Sequence, residues 1–275
     1  MAGTPYTKPF KSWGCDTRSV LSQLLQEEKK MVMLWLKQEL SMLSVSEDLI
    51  KHFKGFCSSP NLILLFVYMK CRFSLSYRDL EEMMSMRGAA IDHSTLQRWV
   101  KRFTGLIDKA VRKRKKPVNG SWRMDETYVK MNGKWIYLYR AVDKEGNTID
   151  FLLRAKRNAA AAKSFFRKAF RQHGRPDKVT VDKSGSNKAA LAACNQDICE
   201  EDKIEIRQTK YLNNIVEQDH RFIKKRTRPT LGFKNFHSAK ATITGIESIR
   251  MIQKGQIFGH NSSLSTFENF CVLMA

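Results

Sequence analysis

Three carboxylates stand out by the company each keeps. Asp125 lies within Ser121-Trp-Arg-Met-Asp-Glu-Thr-Tyr-Val-Lys130, whose alternation and aromatic content read as a strand. Asp182 closes the apolar run Val179-Thr-Val-Asp182 and precedes the turn-like Lys183-Ser-Gly-Ser186. Glu217 sits in Asn213-Asn-Ile-Val-Glu-Gln-Asp-His220, which reads as the first turns of a helix. Hard divalent cations such as Mg²⁺ take oxygen ligands, and two strand-borne aspartates with a helix-borne glutamate would supply them. The chain holds 49 Lys and Arg against 27 Asp and Glu, a net charge of +22. An acidic site on so basic a chain points to phosphodiesters, because neutralising phosphates releases counterions and favours DNA or RNA.

Each carboxylate has a local rival. Glu126 follows Asp125, but neighbours on a strand point to opposite faces, so Glu126 is expected to face away. Asp219 is two residues beyond Glu217, about 200° round a helix, and is expected to face away as well. His220 stands three residues after Glu217, the spacing of a Glu-x-x-His metal pair. Mg²⁺ prefers oxygen, so His220 is expected in a hydrogen bond or against DNA instead. Asn213 and Asn214 are expected to cap this helix, whose positive end favours phosphate. Lys183 and Lys210 flank the site and are candidates for DNA contact.

The elements that would position these residues follow from periodicity. Leu62–Lys70, Ser76–Arg87 and His93–Phe103 read as short helices; Ser76 and Asp79 form a capping-box pattern, and Gly88 ends the second helix. Helix, Gly-containing turn, helix is the helix-turn-helix order, which predicts an all-α DNA-binding domain over residues 53–110. Its second helix offers Ser94, Thr95, Gln97, Arg98 and Lys101 to DNA, whereas Tyr77, Leu80 and Trp99 read as packing. The basic run Val111–Lys116 and the following Pro117-Val-Asn-Gly120 predict a linker over 111–120, with Arg112–Lys116 able to track a phosphate backbone.

Beyond it the period changes. Trp122–Met131, Lys134–Val142 and Thr148–Ala155 are strands, joined by hairpin signals at Asn132-Gly133 and Lys144-Glu-Gly-Asn147. Trp122 and Trp135 are expected in the core. A helix over Asn158–His173, a strand at Lys178–Asp182, a short helix near Ser186–Cys194 and a strand at Lys203–Gln208 come next, then helices over Asn213–Thr227 and Phe236–Lys254. The fold class is α/β, with a mixed sheet rather than a doubly wound one, over residues 121–256. Residues 1–52 read as an N-terminal extension of unknown role and 257–275 as a C-terminal tail.

Six cysteines without a CxxC pair argue against a zinc site or disulfide framework. The start lacks a charged-then-apolar signal pattern, and the apolar run Leu62–Met69 is too short to span a bilayer. No membrane partner is expected, and a cytoplasmic, nucleoid-associated protein is.

Further stretches complete the pattern: LSYRDLEEMM (75–84), DHSTLQRWV (92–100), GKWIYLYRAVDKEGNTIDF (133–151), TKYLNNIVEQDHR (209–221) and LGFKNFHSAKATITGIE (231–247). With MDETYVK, VDKSG and NNIVEQDHRFIKK, with 34 residues between Asp182 and Glu217, and with Lys224 seven beyond, the chain resembles a DDE transposase of the retroviral-integrase superfamily. More narrowly it resembles the insertion sequence 6 family, over roughly residues 53–256. The resemblance implies an RNase H-like core behind a helix-turn-helix. It implies that Asp125, Asp182 and Glu217 are the metal-binding catalytic carboxylates and that Lys224 contacts DNA beside them. It also implies Mg²⁺ as cofactor, with Mn²⁺ as substitute, in cutting the ends of an insertion sequence at its terminal inverted repeats. The freed 3′-OH then attacks target DNA, with no covalent protein–DNA intermediate. Joining two DNA ends implies a homodimer or larger oligomer. A catalytically decayed DNA-binding remnant or repressor, and an RNase H-like nuclease, are the alternatives.

Overall fold

The computed structural model describes residues 43–275, apart from Arg87, Ser184, Asp197 and Thr230, together with Gln26. Most of the expected 1–52 extension therefore lies outside the described residues.

After one short helical turn (Glu47–Ile50), three longer helices follow. Helix α1 (Pro60–Arg72) starts with proline at its first turn, where the missing N–H costs nothing, and the Ser59 hydroxyl accepts from the Leu62 amide. Helix α2 (Tyr77–Ser85) carries the expected capping box, with Ser76 Oγ accepting from the Asp79 amide at 3.0 Å and the Asp79 carboxylate accepting from the Ser76 amide at 2.7 Å. Gly88 then takes a left-handed φ of 76°. Helix α3 runs over His93–Lys113, ten residues past the expected end at Phe103. Its buried stripe Leu96, Trp99, Val100, Phe103, Ile107 and Val111 keeps helical spacing across Gly105, so the packed face carries the helix into the basic run.

The sheet holds five strands in the order β3-β2-β1-β4-β5: β1 Ser121–Met131, β2 Lys134–Asp143, β3 Thr148–Arg154, β4 Lys178–Val181 and β5 Glu205–Gln208. The first three are antiparallel and the last two parallel, giving the mixed α/β sheet that was expected. Helices α4 (Ala159–His173) and α5 (Gly185–Asn195) cover one face through Phe165, Phe166 and Leu191 against Met124, Tyr139 and Val179. On the other face lie α6 (Asn214–Thr227) and α7 (Phe236–Gln253), where Val129, Ile136, Leu138 and Ile223 share one buried cluster with α1 and α3. Packing there is close: a Cβ on Gly245 of α7 would collide with Cys71 of α1 and Thr104 of α3. The C-terminal residues form helix α8 (Thr266–Met274), whose Phe270 and Leu273 join that cluster.

Several expectations need correcting. The basic run does not hang free between two halves. Arg112 binds Asp108 at 2.8 Å and Asp150 at 3.0 Å, and Lys115 donates to the Ile149 carbonyl beside His173. Lys116 donates to the Gly255 carbonyl at 2.9 Å. Trp122 is buried, but Trp135 is 59 % exposed, because the end of the β1–β2 hairpin runs beyond the cover of α4. Among the described residues no disulfide forms, and no helix is long and apolar enough to cross a membrane.

Candidate active site

Sheet register brings the two aspartates together. β1 and β4 run parallel with Trp122 opposite Val179 and Arg123 opposite Thr180. Two residues further along each strand the same register sets Asp125 level with Asp182. Asp182 stands just past the end of β4, where the strand no longer confines it to one face. Carboxylate oxygens of Asp125, Glu126 and Asp182 all lie within 4.8 Å of one another.

The expectation that Glu126 faces away is therefore corrected. Asp125 shares a face with its cross-strand partner Arg140, toward α6, and Glu126 shares the other face with Tyr139, toward α4. The alternation holds, yet Asp182 is reached from both faces. Two further groups tie the cluster. Asn187 of α5, buried, donates from Nδ2 to Glu126 and to Asp182, both at 3.2 Å. Arg157, in the loop before α4, reaches Glu126 at 3.4 Å and Asp182 at 3.3 Å. Sequence reasoning missed both. Asn187 left one trace, as a polar residue one turn before the buried Ala190 and Leu191 in an otherwise Ala-rich helix; Arg157 left none.

Electrostatics mark the site. Burial pushes the Asp125 carboxyl up to about 7, with the charges of Glu126, Asp182 and Glu217 adding to the rise despite a backbone hydrogen bond that opposes it. Glu126 is raised as well, first by burial. Carboxylates crowded in this way favour a cation in their midst. The donors are all oxygen, which fits Mg²⁺ or Mn²⁺ rather than a softer ion. Glu217 lies exposed on the first turn of α6, outside the tight cluster of three, but its charge is felt at Asp125.

The rest of α6 shows how that helix is held. Asp219 is not among the three clustered carboxylates and accepts from Arg140 at 2.7 Å, Lys254 at 2.8 Å and Arg250 at 3.3 Å. Burial would raise its carboxyl, but Arg140 and Lys254 hold it far below the usual range. Arg140, fully buried, is also bound by Glu247 of α7 at 2.6 and 2.9 Å. This cluster fixes α6 between β2 and α7. His220 stands 3.6 Å from Asp125, too far for a hydrogen bond, and burial followed by Arg140 and Lys224 pushes it down to about 2. It is a neutral, buried neighbour of the site. Asn213 does not cap α6: a 3-10 turn (Lys210–Asn213) runs straight into the helix, so Asn213 takes helical angles and makes no capping bond.

The other predicted residues are dispersed. Lys183 is exposed beside Asp182, in an open cleft it shares with Tyr211 and Asn214. Lys210 begins the 3-10 turn before α6. Lys224 lies two turns beyond Glu217 on α6, in a cleft with Tyr128, Trp135 and Arg228. On α3, Ser94 is drawn into the N-cap by Asp92, and Thr95 accepts from Arg98 at 2.8 Å. Arg98 is exposed and Lys101 partly so, while Gln97 lines a cavity with Tyr77 and Arg226.

Comparison with known proteins meets this geometry. A family model described as a DDE domain matches residues 119–256. The transposase for insertion sequence-like element IS431mec of Staphylococcus aureus is 39% identical over 197 residues, 71% of this chain and 86% of that protein. The transposase for IS257 in transposon Tn4003, also from Staphylococcus aureus, matches to the same extent. Among solved structures, the HTLV-2 integrase catalytic core domain in complex with magnesium (dimeric form) aligns over 57% of this chain and 99% of that one, with TM-score 0.40 and 18% identity. From the family model and the staphylococcal relatives, the chain belongs to the insertion sequence 6 family of DDE transposases.

Proposed function

We propose that the chain binds the terminal inverted repeats of its own insertion sequence, cleaves a phosphodiester at each end and transfers the freed 3′-OH into target DNA. The observation that carries this is the level pairing of Asp125 and Asp182 on adjacent parallel strands, their oxygens within 4.8 Å. Asp125, Asp182 and Glu217 are the proposed holders of Mg²⁺, or Mn²⁺ in its place. When bound, such ions supply Lewis-acid polarisation of the phosphate and a more acidic attacking water.

The chain's own residues do the positioning. Asn187 and Arg157 hold Asp182 and Glu126 at fixed angles, so the acidic cluster is organised before DNA arrives. Neutral His220 walls Asp125 from the buried side without competing for the cation. Lys183, next to Asp182 in sequence, and Lys224, two turns beyond Glu217 on α6, bind phosphates of the DNA, and Lys210, at the start of the turn before α6, joins them. Helices α2 and α3 act as a helix-turn-helix, with Arg98 and Lys101 against DNA and Ser94, Thr95 and Gln97 beside them. Two ends must meet, so the active species is a homodimer or larger assembly on DNA, working at the nucleoid in a bacterial cytoplasm.

Strand transfer by wild type and Asp125→Asn, with a labelled duplex carrying the inverted repeat that flanks the gene, tests the assignment. Loss of transfer by at least about a hundredfold is expected, since one metal-holding carboxylate is gone. Equal rates in both would sink it.

A further inference from the structure

The hairpin end that leaves Trp135 uncovered carries an aromatic surface. Tyr128 is 47% and Trp135 59% exposed, and Tyr128 packs edge-on against Trp135 at 6.2 Å and against Tyr137 at 5.5 Å. Lys130 is the cross-strand partner of Trp135, and Arg154 that of Tyr137, so cations share this face. Tyr128 stands two residues beyond Glu126 on the same face of β1, which ties the surface to the acidic cluster. Large aromatics left in water on a rigid strand pair need a reason, because packing would ordinarily bury them.

The aromatics form one wall of a cleft of about 560 Å³, and Lys224, Arg228 and Leu231 form the other. Both walls are pre-set. Phe233 donates to the Lys130 carbonyl at 2.8 Å and accepts from the Asn132 amide at 2.9 Å, stapling the segment after α6 to the hairpin. Gly232 makes that approach possible: at φ +100°, a Cβ there would fall 2.8 Å from the Lys130 oxygen. Leu231, also left-handed with φ 55°, stands 89% exposed at the rim.

One wall offers ring faces, the other positive charge. A paired duplex hides its base faces and has no use for the rings; an unpaired nucleotide offers both a face and a phosphate. We propose that this cleft binds unpaired DNA, stacking a base on Trp135 and Tyr128 with its phosphates against Lys224 and Arg228. It rests on the transposase reading and adds a place beside the acidic cluster where an opened strand end is held.

Fluorescence anisotropy with the full chain in EDTA separates this from cleavage, using a twelve-nucleotide oligo(dT) and a blunt mixed-sequence duplex as probes. Trp135→Ala and Tyr128→Ala should each weaken oligo(dT) binding about tenfold, the scale of one lost stack, with duplex affinity unchanged within twofold. Trp135→Phe should restore most of the loss. Unaltered oligo(dT) binding by Trp135→Ala overturns the site. So does equal weakening on both probes, or a wild-type oligomer that Trp135→Ala dissociates in sedimentation, which would assign the face to a second copy of the chain. If wild type transfers strands while Trp135→Ala binds oligo(dT) normally, only this site falls. If the variants lose oligo(dT) as stated and wild type transfers nothing in Mg²⁺, the transposase reading falls instead.

Discussion

Arg140 carries a charge shut off from the protein surface. Its guanidinium is fully buried, and the carboxylates of Glu247 and Asp219 close on it at 2.6 to 2.9 Å. Such a pair adds little net stability over an apolar substitute, because desolvating the ions offsets their attraction. Breaking it is another matter. Glu247→Ala leaves Arg140 buried with half its partners gone and is expected to destabilise the chain by about 3–5 kcal/mol in urea denaturation. Glu247→Gln, which keeps an oxygen acceptor, should lose less. A Glu247→Ala variant within about 1 kcal/mol of wild type would mean water reaches Arg140 and that the cluster is not what holds α6. Of the residues at the site, Asp125, Asp182 and Glu217 were legible as types in context. Glu126 was set aside by the alternation of strand faces, which is sound locally. It failed to allow for Asp182 lying past its strand's end, a fact of register between segments more than fifty residues apart.

At the scale of elements, α3 shows what periodicity delivers and what charge conceals. The buried stripe from Leu96 to Val111 was there to be read, but the basic residues after it looked like a linker. Only the tertiary partners, Asp150 and the Ile149 carbonyl, together with Asp108 one turn back on α3 itself, explain why cations sit at a packed helix end. The hairpins, α4 and the capping box of α2 were legible because their signals are local. Trp135 and α8 were not, since cover or exposure there depends on which helix reaches which strand. The same helix end carries a pH response. Burial lowers Lys115 to about 7, and burial with the nearby Lys115 charge lowers His173 to about 4. In the unfolded chain their ordinary values are 10.5 and 6.5. Between pH 4 and 6.5 the unfolded chain binds a proton at His173 that the folded chain refuses, so this group's contribution to folding stability rises with pH. It runs against an opposite contribution from Asp125, whose raised carboxyl keeps a proton the unfolded chain has lost. The same sign holds for Lys115 between pH 7 and 10.5. One proton gives at most about 1.4 kcal/mol per pH unit. Lys115→Met should flatten the upper window in urea titrations and, because the Lys115 charge is part of what lowers His173, also narrow the lower one; an upper slope the variant does not change would assign it to another group.

For the whole molecule, net charge and DNA-facing charge differ. Of the 49 Lys and Arg, several pair inside the fold, Arg140, Arg250 and Lys254 with Asp219, and Arg112 and Lys168 with Asp150, and these face no DNA. The remaining cations are what DNA meets, and the size of that contact is measurable. Each phosphate neutralised contributes about −0.9 to the slope of log affinity against log salt on duplex DNA. A protein making roughly six to ten such contacts gives a slope of about −5 to −9, far short of what the formal charge suggests. If α3 lies along the element end, Arg98→Ala and Lys101→Ala should each reduce the magnitude of that slope by about one. They should do so alike on the inverted repeat and on unrelated duplex if both residues meet phosphate. A loss confined to the inverted repeat would instead place Arg98 or Lys101 on a base edge. A double variant whose slope matches wild type on both duplexes would remove α3 from the DNA interface and leave end recognition to another surface of the chain.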